Sequence, residues 1–396
     1  MEKKIINRRD FLRLTAMAGV GSFIIPDAVA STLRQAASVP ATTDIPVRTL
    51  GKTGLKIPML SMGVMRADNP NVVRAAYNSG IFLFDTANGY QNGRNEEMLG
   101  TFFADKPRES FIIATKAGFN YPFRDDFEAD FNDKLETSLK RLKMDHVDIF
   151  YAHAAANVEA VRDPRMIAAL KKVKDSGKAR FIGFSTHAQN PEQIHAAIDT
   201  GVYDVILMNY NFKLGNMKET DEAIDRAVKA GIGIVAMKTM TGGAADASGQ
   251  NKIDAQACLK WVWQNKNITT AIPGFTNFDE LDACLTAARN NTLTPAEQQY
   301  LAELRQTEML YCTNCGQCKS QCPNNLPIPD IMRAYMYTYG YKQSSLSKET
   351  LLAANLAGDA CEGCGECKVK CSSGFDVARK IAAIKPVMDV PYEFLT

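Results

Sequence analysis

Past its first thirty residues the chain has no surplus of either charge. Lys and Arg number 46 and Asp and Glu 44 over 396 residues, a formal net charge of +2. The first thirty hold Lys3, Lys4, Arg8, Arg9 and Arg13 against Glu2, Asp10 and Asp27, which leaves 41 of each sign in the rest. A basic footprint for nucleic acid is thereby excluded. Also missing is any run long and apolar enough to be a convincing membrane span. No G-x-G-x-x-G follows the first apolar run, which argues against a doubly wound dinucleotide-binding sheet. What is present is ordinary for a globular chain, 46% hydrophobic and 23% charged, with length enough for two domains.

Cysteine is concentrated rather than scattered. Of ten, eight fall in two C-terminal runs, Cys312-x2-Cys315-x2-Cys318-x3-Cys322-Pro323 and Cys361-x2-Cys364-x2-Cys367-x3-Cys371. That spacing presents several thiolates to one compact cluster and is the signature of [4Fe–4S] ligation. Gly316, Gly363 and Gly365 let the backbone turn tightly between ligands. Zinc, or disulfides in an oxidising compartment, are the alternatives, and repetition of one spacing argues against both. In two-cluster ferredoxins the last cysteine of each run serves the other cluster. On that pattern Cys312, Cys315, Cys318 and Cys371 hold one cluster, and Cys361, Cys364, Cys367 and Cys322 the other. Ser372 stands where the second run would usually have Pro. Helical stretches expected near 328–339 and 348–357 make residues 309–396 resemble an α-helical ferredoxin-like domain. Cys258 and Cys284 lie on other expected helices and read as core residues.

Residues 1–30 read as a targeting segment. Asn7-Arg8-Arg9-Asp10-Phe11-Leu12-Arg13 resembles the twin-arginine export motif, a mildly apolar stretch follows, and Ala28-Val29-Ala30 supplies a small-x-small cleavage site. The expectation is a folded, metal-loaded protein carried by the twin-arginine machinery to the periplasm. Residues 31–46, rich in Ala, Ser, Thr and Pro, read as a linker.

Between these ends apolar runs alternate with helical stretches. After a hairpin at 47–58, strands are expected at 59–63, 81–84, 111–115, 147–151, 179–184, 205–208, 233–237 and 270–272, with helices between them. Eight strand–helix units of this length make a (β/α)8 TIM barrel over 47–292, followed by a connecting helix at 293–308. In such a barrel chemistry sits just past the strand ends. There the sequence places Asp85 and Tyr90 after the second strand, Lys116 after the third and His153 after the fourth. A buried lysine beside a phenol is expected to lower the phenol's pKa. An aspartate keeps the lysine charged, and a histidine hydrogen-bonds a substrate carbonyl. The loop at 118–127 carries Phe119, Tyr121, Phe123 and Phe127, which either wall a pocket or pack on the barrel rim.

Here the chain resembles the aldo/keto reductase family, over roughly residues 47–292. FDTANGYQNGRNEEMLG is similar to the family's Asp–Tyr segment, FIIATK to its lysine strand, VDIFYAH to its histidine strand and KVKDSGKARFIGFST to the segment leading to its nicotinamide-contacting Ser. The resemblance implies a catalytic tetrad of Asp85, Tyr90, Lys116 and His153, with Tyr90 as acid/base. It further implies NAD(P)H-dependent interconversion of a small carbonyl compound and its alcohol. The cofactor positions it points to are Gly63, Ser185, Met237, Lys238, Gly274 and Thr276. That side is the less faithful: Thr186 stands for a usual Asn, Leu207 for Gln and Met237 for an aromatic. The loop Pro273-Gly274-Phe275-Thr276-Asn277 lacks the Lys and Arg that hold a 2′-phosphate, so NAD(H) is preferred to NADP(H).

The whole reads as an exported aldo/keto reductase barrel fused to a domain with two [4Fe–4S] clusters, a combination that resembles the iron–sulfur branch of the family. Two other readings remain. One is a nicotinamide-independent enzyme that passes substrate electrons through the clusters to a redox partner protein. The other is a non-catalytic electron-transfer or platform protein.

Overall fold

The computed structural model describes residues 44–396 except 120, 156, 188–189, 242–251, 307–311, 313–317, 355, 357–360, 362–363, 365, 372–373 and 396. The leader, most of the linker, Cys315 and the three inter-ligand glycines lie outside the described residues.

A short hairpin opens the fold, β1 (Val47–Thr49) antiparallel to β2 (Lys56–Pro58). Eight parallel strands follow: β3 (Met62–Gly63), β4 (Leu83–Asp85), β5 (Ile112–Gly118), β6 (Val147–His153), β7 (Ala179–Thr186), β8 (Val205–Asn209), β9 (Gly233–Met237) and β10 (Thr270–Ala271). Each pairs with its sequence neighbour, so the order runs β3 to β10 without a crossover inside the sheet. The ends meet through a parallel bridge between Leu60 and Ala271 and through the Gly63 N–H, which donates to Pro273 O at 3.0 Å. The sheet is thus a nearly closed barrel. The expected strands are all present; β4 to β8 end one to three residues later than expected, while β3 and β10 are shorter.

Between the strands run α1 (Pro70–Asn78), α2 (Arg94–Phe103), α3 (Phe127–Leu142), α4 (Val158–Arg162), α5 (Pro164–Asp175), α6 (Asn190–Thr200), α7 (Met217–Lys229), α8 (Ala255–Gln264) and α9 (Phe278–Arg289). Local chemistry sets their ends. Asn69, Asp163 and Asn277 accept N–H bonds at the starts of α1, α5 and α9, and Pro70 and Pro164 take first helical positions where no N–H is needed. Left-handed Gly80, Gly177, Gly201 and Gly231 turn the chain from helix back to strand.

Two apolar layers result. Inside the barrel Leu83, Ala114, Ile149, Tyr151, Val205, Leu207 and Val235 pack together, and Leu50, Leu55 and Ile57 of the hairpin close the N-terminal end. Outside, alternate strand residues pack on the helices. The interior is therefore filled, which leaves the C-terminal mouth of the barrel as the place for a ligand in this architecture.

α10 (Pro295–Gln306) starts with a capping box: Glu297 accepts the Thr294 N–H at 2.8 Å while Thr294 Oγ1 accepts the Glu297 N–H at 3.2 Å. Then come α11 (Ile328–Tyr339), α12 (Ser344–Ala353) and α13 (Val377–Ile384) around their own core of Ile331, Leu351, Ile381 and Ile384. These helices and the barrel pack as one unit. Among the described residues no helix is long and apolar enough to cross a membrane.

Candidate active site

Each expected catalytic residue stands where a strand meets its loop. Asp85 ends β4, Lys116 lies within β5 and His153 ends β6. Parallel register fixes their heights: Asp85 faces Ala114, and Lys116 faces Tyr151 two residues before His153. Tyr90 follows on a turn in which Gln91 and Asn92 adopt left-handed backbone. Gln91 Nε2 ties that turn to Met65 O at 3.0 Å, and buried Asn95 bonds Val64 O at 2.7 Å. Such strain is affordable only where neighbours over-determine the loop.

The four side chains converge. The Lys116 ammonium is paired with Asp85 and donates to Thr86 O at 2.6 Å. It lies 5.2 Å from the centre of the Tyr90 ring. The Tyr90 and His153 rings meet edge to face, 5.7 Å apart and inclined by 82°. Behind them Thr115 donates to Glu96 at 2.7 Å, Thr86 to Asn95 at 2.6 Å, and Arg141 caps Asn88 O at 2.8 Å. The second Asp85 oxygen is buried and has no hydrogen-bond partner among the described residues.

Electrostatics assign protonation states. Burial raises Asp85 and lowers Lys116, and their mutual attraction opposes both shifts. His153 is pushed down to about 3 by burial, Lys116, Arg333 and Lys238, so its ring is neutral and keeps one N–H to donate. Tyr90 departs from the sequence expectation. Its phenol is pushed well up, first by burial and then by the Asp85 charge. The Lys116 charge is already spent on Asp85, so it does not outweigh burial. The phenol is held as a proton donor.

A cavity of about 1030 Å³ opens over this group, and Asp85, Tyr90 and His153 line it. Of the expected cofactor residues, Gly63, Met237, Lys238 and Gly274 line it too. Ser185 and Thr276 do not. Ser185 Oγ accepts the Ala154 N–H at 2.8 Å, and the Thr276 N–H donates to Glu280 at 2.8 Å at the start of α9. Gly63 has a structural reason as well, since a Cβ there would stand 2.7 Å from Ile272 O across the barrel seam. Four of the six expected cofactor positions thus border the cavity, with fewer polar groups among them than the sequence suggested. In the aromatic loop Phe119, Tyr121 and Phe127 face the cavity, while Phe123 stacks on Phe127 at 4.0 Å. His187 lines the cavity as well.

Other residues of the cavity lining were not legible in the sequence. Arg333 and Tyr337 of α11, and Tyr341 just beyond it, line the same cavity as Tyr90. Arg66, from the loop after β3, was missed too.

Among the cysteines, Cys361 is pushed up by burial and by Cys367, Cys322 and Cys364 around it. Asn324 Nδ2 bonds Cys364 Sγ at 3.3 Å. Cys322 therefore sits with the second run. Four neighbouring thiols fit a [4Fe–4S] cluster in ligand number and kind. Among the described residues no group of three or more His, Cys, Asp or Glu side chains is placed to hold a single metal ion. Cys312, Cys318 and Cys371 border the core of the C-terminal helices. Cys258 and Cys284 are buried in the barrel's outer layers, as expected.

Residues 56–256 match the profile of the aldo/keto reductase family, just over half of the chain, and residues 311–376 that of a 4Fe-4S dicluster domain. The chain belongs to the aldo/keto reductase family. The aldo/keto reductase region is 25% identical over 302 residues to L-galactose dehydrogenase of Arabidopsis thaliana, spanning 66% of this chain and 94% of that one. It is 24% identical over 314 residues to an L-glyceraldehyde 3-phosphate reductase of Escherichia coli, spanning 63% and 89%. A solved aldo-keto reductase of Bacillus halodurans in its holo form shares the fold, with a TM-score of 0.55 at 21% identity over 66% of this chain and 96% of that one. Relatives named as dehydrogenases and reductases make this an oxidoreductase, with an iron–sulfur region that the barrel alone would not need.

Proposed function

We propose that this protein interconverts a small carbonyl compound and its alcohol, with Tyr90 as the acid/base. The supporting observation is the convergence of Tyr90, His153 and the Lys116–Asp85 pair at one end of the cavity. A nicotinamide, when bound, supplies or accepts the hydride, and Met237, Lys238, Gly63 and Gly274 are the residues that would hold it. In reduction the Tyr90 hydroxyl gives its proton to the carbonyl oxygen as the carbon gains hydride, leaving an alcohol and a phenolate. Neutral His153 orients that oxygen through its N–H. Lys116, five ångströms or so from the phenol ring, stabilises the transient phenolate by its charge, and Asp85 holds Lys116 in place. The loop after β10 carries no cation for a 2′-phosphate, which favours NAD(H). The C-terminal cysteines carry two [4Fe–4S] clusters in this reading, and the leader takes the loaded protein to the periplasm by the twin-arginine route.

A second reading drops the nicotinamide and sends substrate electrons through the clusters to a partner protein. Two observations favour it: Ser185 and Thr276 are engaged elsewhere, and the cluster-bearing region lines the catalytic cavity. One anaerobic experiment on the cluster-loaded protein tests both. With NADH and carbonyl substrate, Tyr90→Phe is expected to lower kcat by roughly 10²–10⁴-fold while nucleotide fluorescence still reports binding. Unchanged turnover removes Tyr90 from the chemistry. Absence of nucleotide binding in the unsubstituted protein removes the first reading and leaves the second.

A further inference from the structure

The cavity carries more positive charge than its catalytic group uses. Lys116 is paired with Asp85, Lys134 with Asp130, Arg124 with Asp126 and Arg333 with Asp330. Arg66 and Lys238 have no carboxylate partner among the described residues, although both line the cavity. Aromatic faces hold them instead. The Lys238 ammonium lies 5.4 Å from the centre of Tyr337 and 5.3 Å from that of Tyr341, and the Arg66 guanidinium lies 4.9 Å from Tyr341. Those faces fix the cations without neutralising them. Arg66 Nε is buried and has no hydrogen-bond partner among the described residues.

Backbone geometry supports a purpose. Lys238 sits in left-handed backbone at φ 56°, and Asn211 Nδ2 pins its carbonyl at 3.1 Å. A lysine in that region is strained, and strain kept beside a cavity marks a site. Burial, Arg333, Arg66 and Lys116 together push Lys238 down to about 7. A bound anion would relieve that crowding.

We propose that Arg66 and Lys238 form an anion subsite bordered by Arg333, whose guanidinium is shared with Asp330, so that the preferred substrate is a carbonyl compound carrying a carboxylate or phosphate. The reacting carbonyl lies at Tyr90 and His153, and the anionic end lies toward α11. This rests on the carbonyl-reducing reading. It makes the iron–sulfur region a specificity element of the barrel's own site, since Arg333 comes from outside the barrel.

The test uses the cluster-loaded protein with matched probes: succinic semialdehyde against butanal, and glyceraldehyde 3-phosphate against glyceraldehyde. The unsubstituted protein is expected to favour one charged probe by at least about tenfold in kcat/KM, and which pair responds separates carboxylate from phosphate. Arg333→Gln and Arg66→Gln are each expected to cut that preference roughly 10–100-fold, chiefly through KM, as loss of a charge-assisted contact does. Arg333→Lys is expected to retain most of it. No preference, or a preference both Gln variants keep, overturns the subsite. Weaker NADH fluorescence in the variants with unchanged probe preference also overturns it, because the cations then serve the nucleotide. If no carbonyl is turned over, the enzymatic reading fails on its own, and calorimetric titration with succinate and with inorganic phosphate decides the subsite. Binding that Arg333→Gln abolishes supports it, and no binding overturns it.

Discussion

Two buried charges, Asp85 and Lys116, are kept in a site where neither alone would stay ionised. Removing one partner leaves the other uncompensated. Lys116→Met is expected to cost about 3–5 kcal/mol of stability, and Asp85→Leu added to it to recover part of that loss. Thermal melts of the two single variants and the double variant measure the coupling. His153 behaves differently because it is buried neutral. Its pKa, about 3 when folded, lies below the ordinary value of 6.5. Between those values the unfolded chain binds a proton that the folded chain refuses. Stability is therefore full above about pH 6.5 and declines as pH falls toward 3. His187 adds to the decline, being lowered for the same reason. His153→Asn is expected to shallow it by up to about 1.4 kcal/mol per pH unit, read from urea unfolding between pH 4 and 6. At this scale the placement of Asp85, Tyr90, Lys116 and His153 around one cavity mouth was legible in the sequence because strand ends declare themselves. The direction of the Tyr90 shift was not, because it depends on how much of Lys116's charge Asp85 already absorbs.

Among the elements, the barrel seam is the narrowest joint. β3 and β10 are two residues each, and they meet through a few backbone contacts and the buried Ser61–Thr270 hydroxyl pair at 2.8 Å, with Gly63 passing close to Ile272. Gly63→Ala pushes a methyl group into that carbonyl and is expected to cost about 1–3 kcal/mol. Differential scanning calorimetry checks it. An unchanged melting temperature would show that the seam gives way cheaply. The strands were readable because each is a short apolar run bounded by turn residues, filled on both faces by inner and outer cores. The helix between the cysteine runs was readable with its bounds, 328–339. Its neighbour was placed too late, at 348–357 instead of Ser344–Ala353, because Ser344, Ser345 and Ser347 resemble loop chemistry. Ser347 in fact turns inward and donates to Ala334 O of α11 at 2.8 Å. Ser185 and Thr276 were assigned to a cofactor on pattern alone. Their local hydrogen bonds, to Ala154 and Glu280, follow from folded geometry that spacing does not encode.

For the molecule as a whole, one helical region both packs against the described cysteines and lines the cavity over Tyr90. Cys361→Ser removes one of the thiols gathered around Cys322. It is expected to lose roughly half of the iron while the other cluster survives. Iron analysis with paramagnetic spectra checks this, and full iron content in the variant would mean that Cys361 is not a ligand. The same variant is expected to raise KM for the carbonyl substrate severalfold, since Cys361 packs against the core that holds α11. None of this coupling was visible in the linear sequence, where Tyr90 and Arg333 are far apart and belong to different family profiles.

The shared wall has an evolutionary corollary. α11 serves two faces at once, with Ile328, Ile331 and Met332 in the core that the cysteines border and Asp330, Arg333 and Tyr337 on the cavity. A chimera that grafts a stand-alone relative's barrel onto this C-terminal region would inherit a roof cut for another room. Divergence in substrate choice among proteins built this way should therefore be sought in the iron–sulfur region as much as in the barrel.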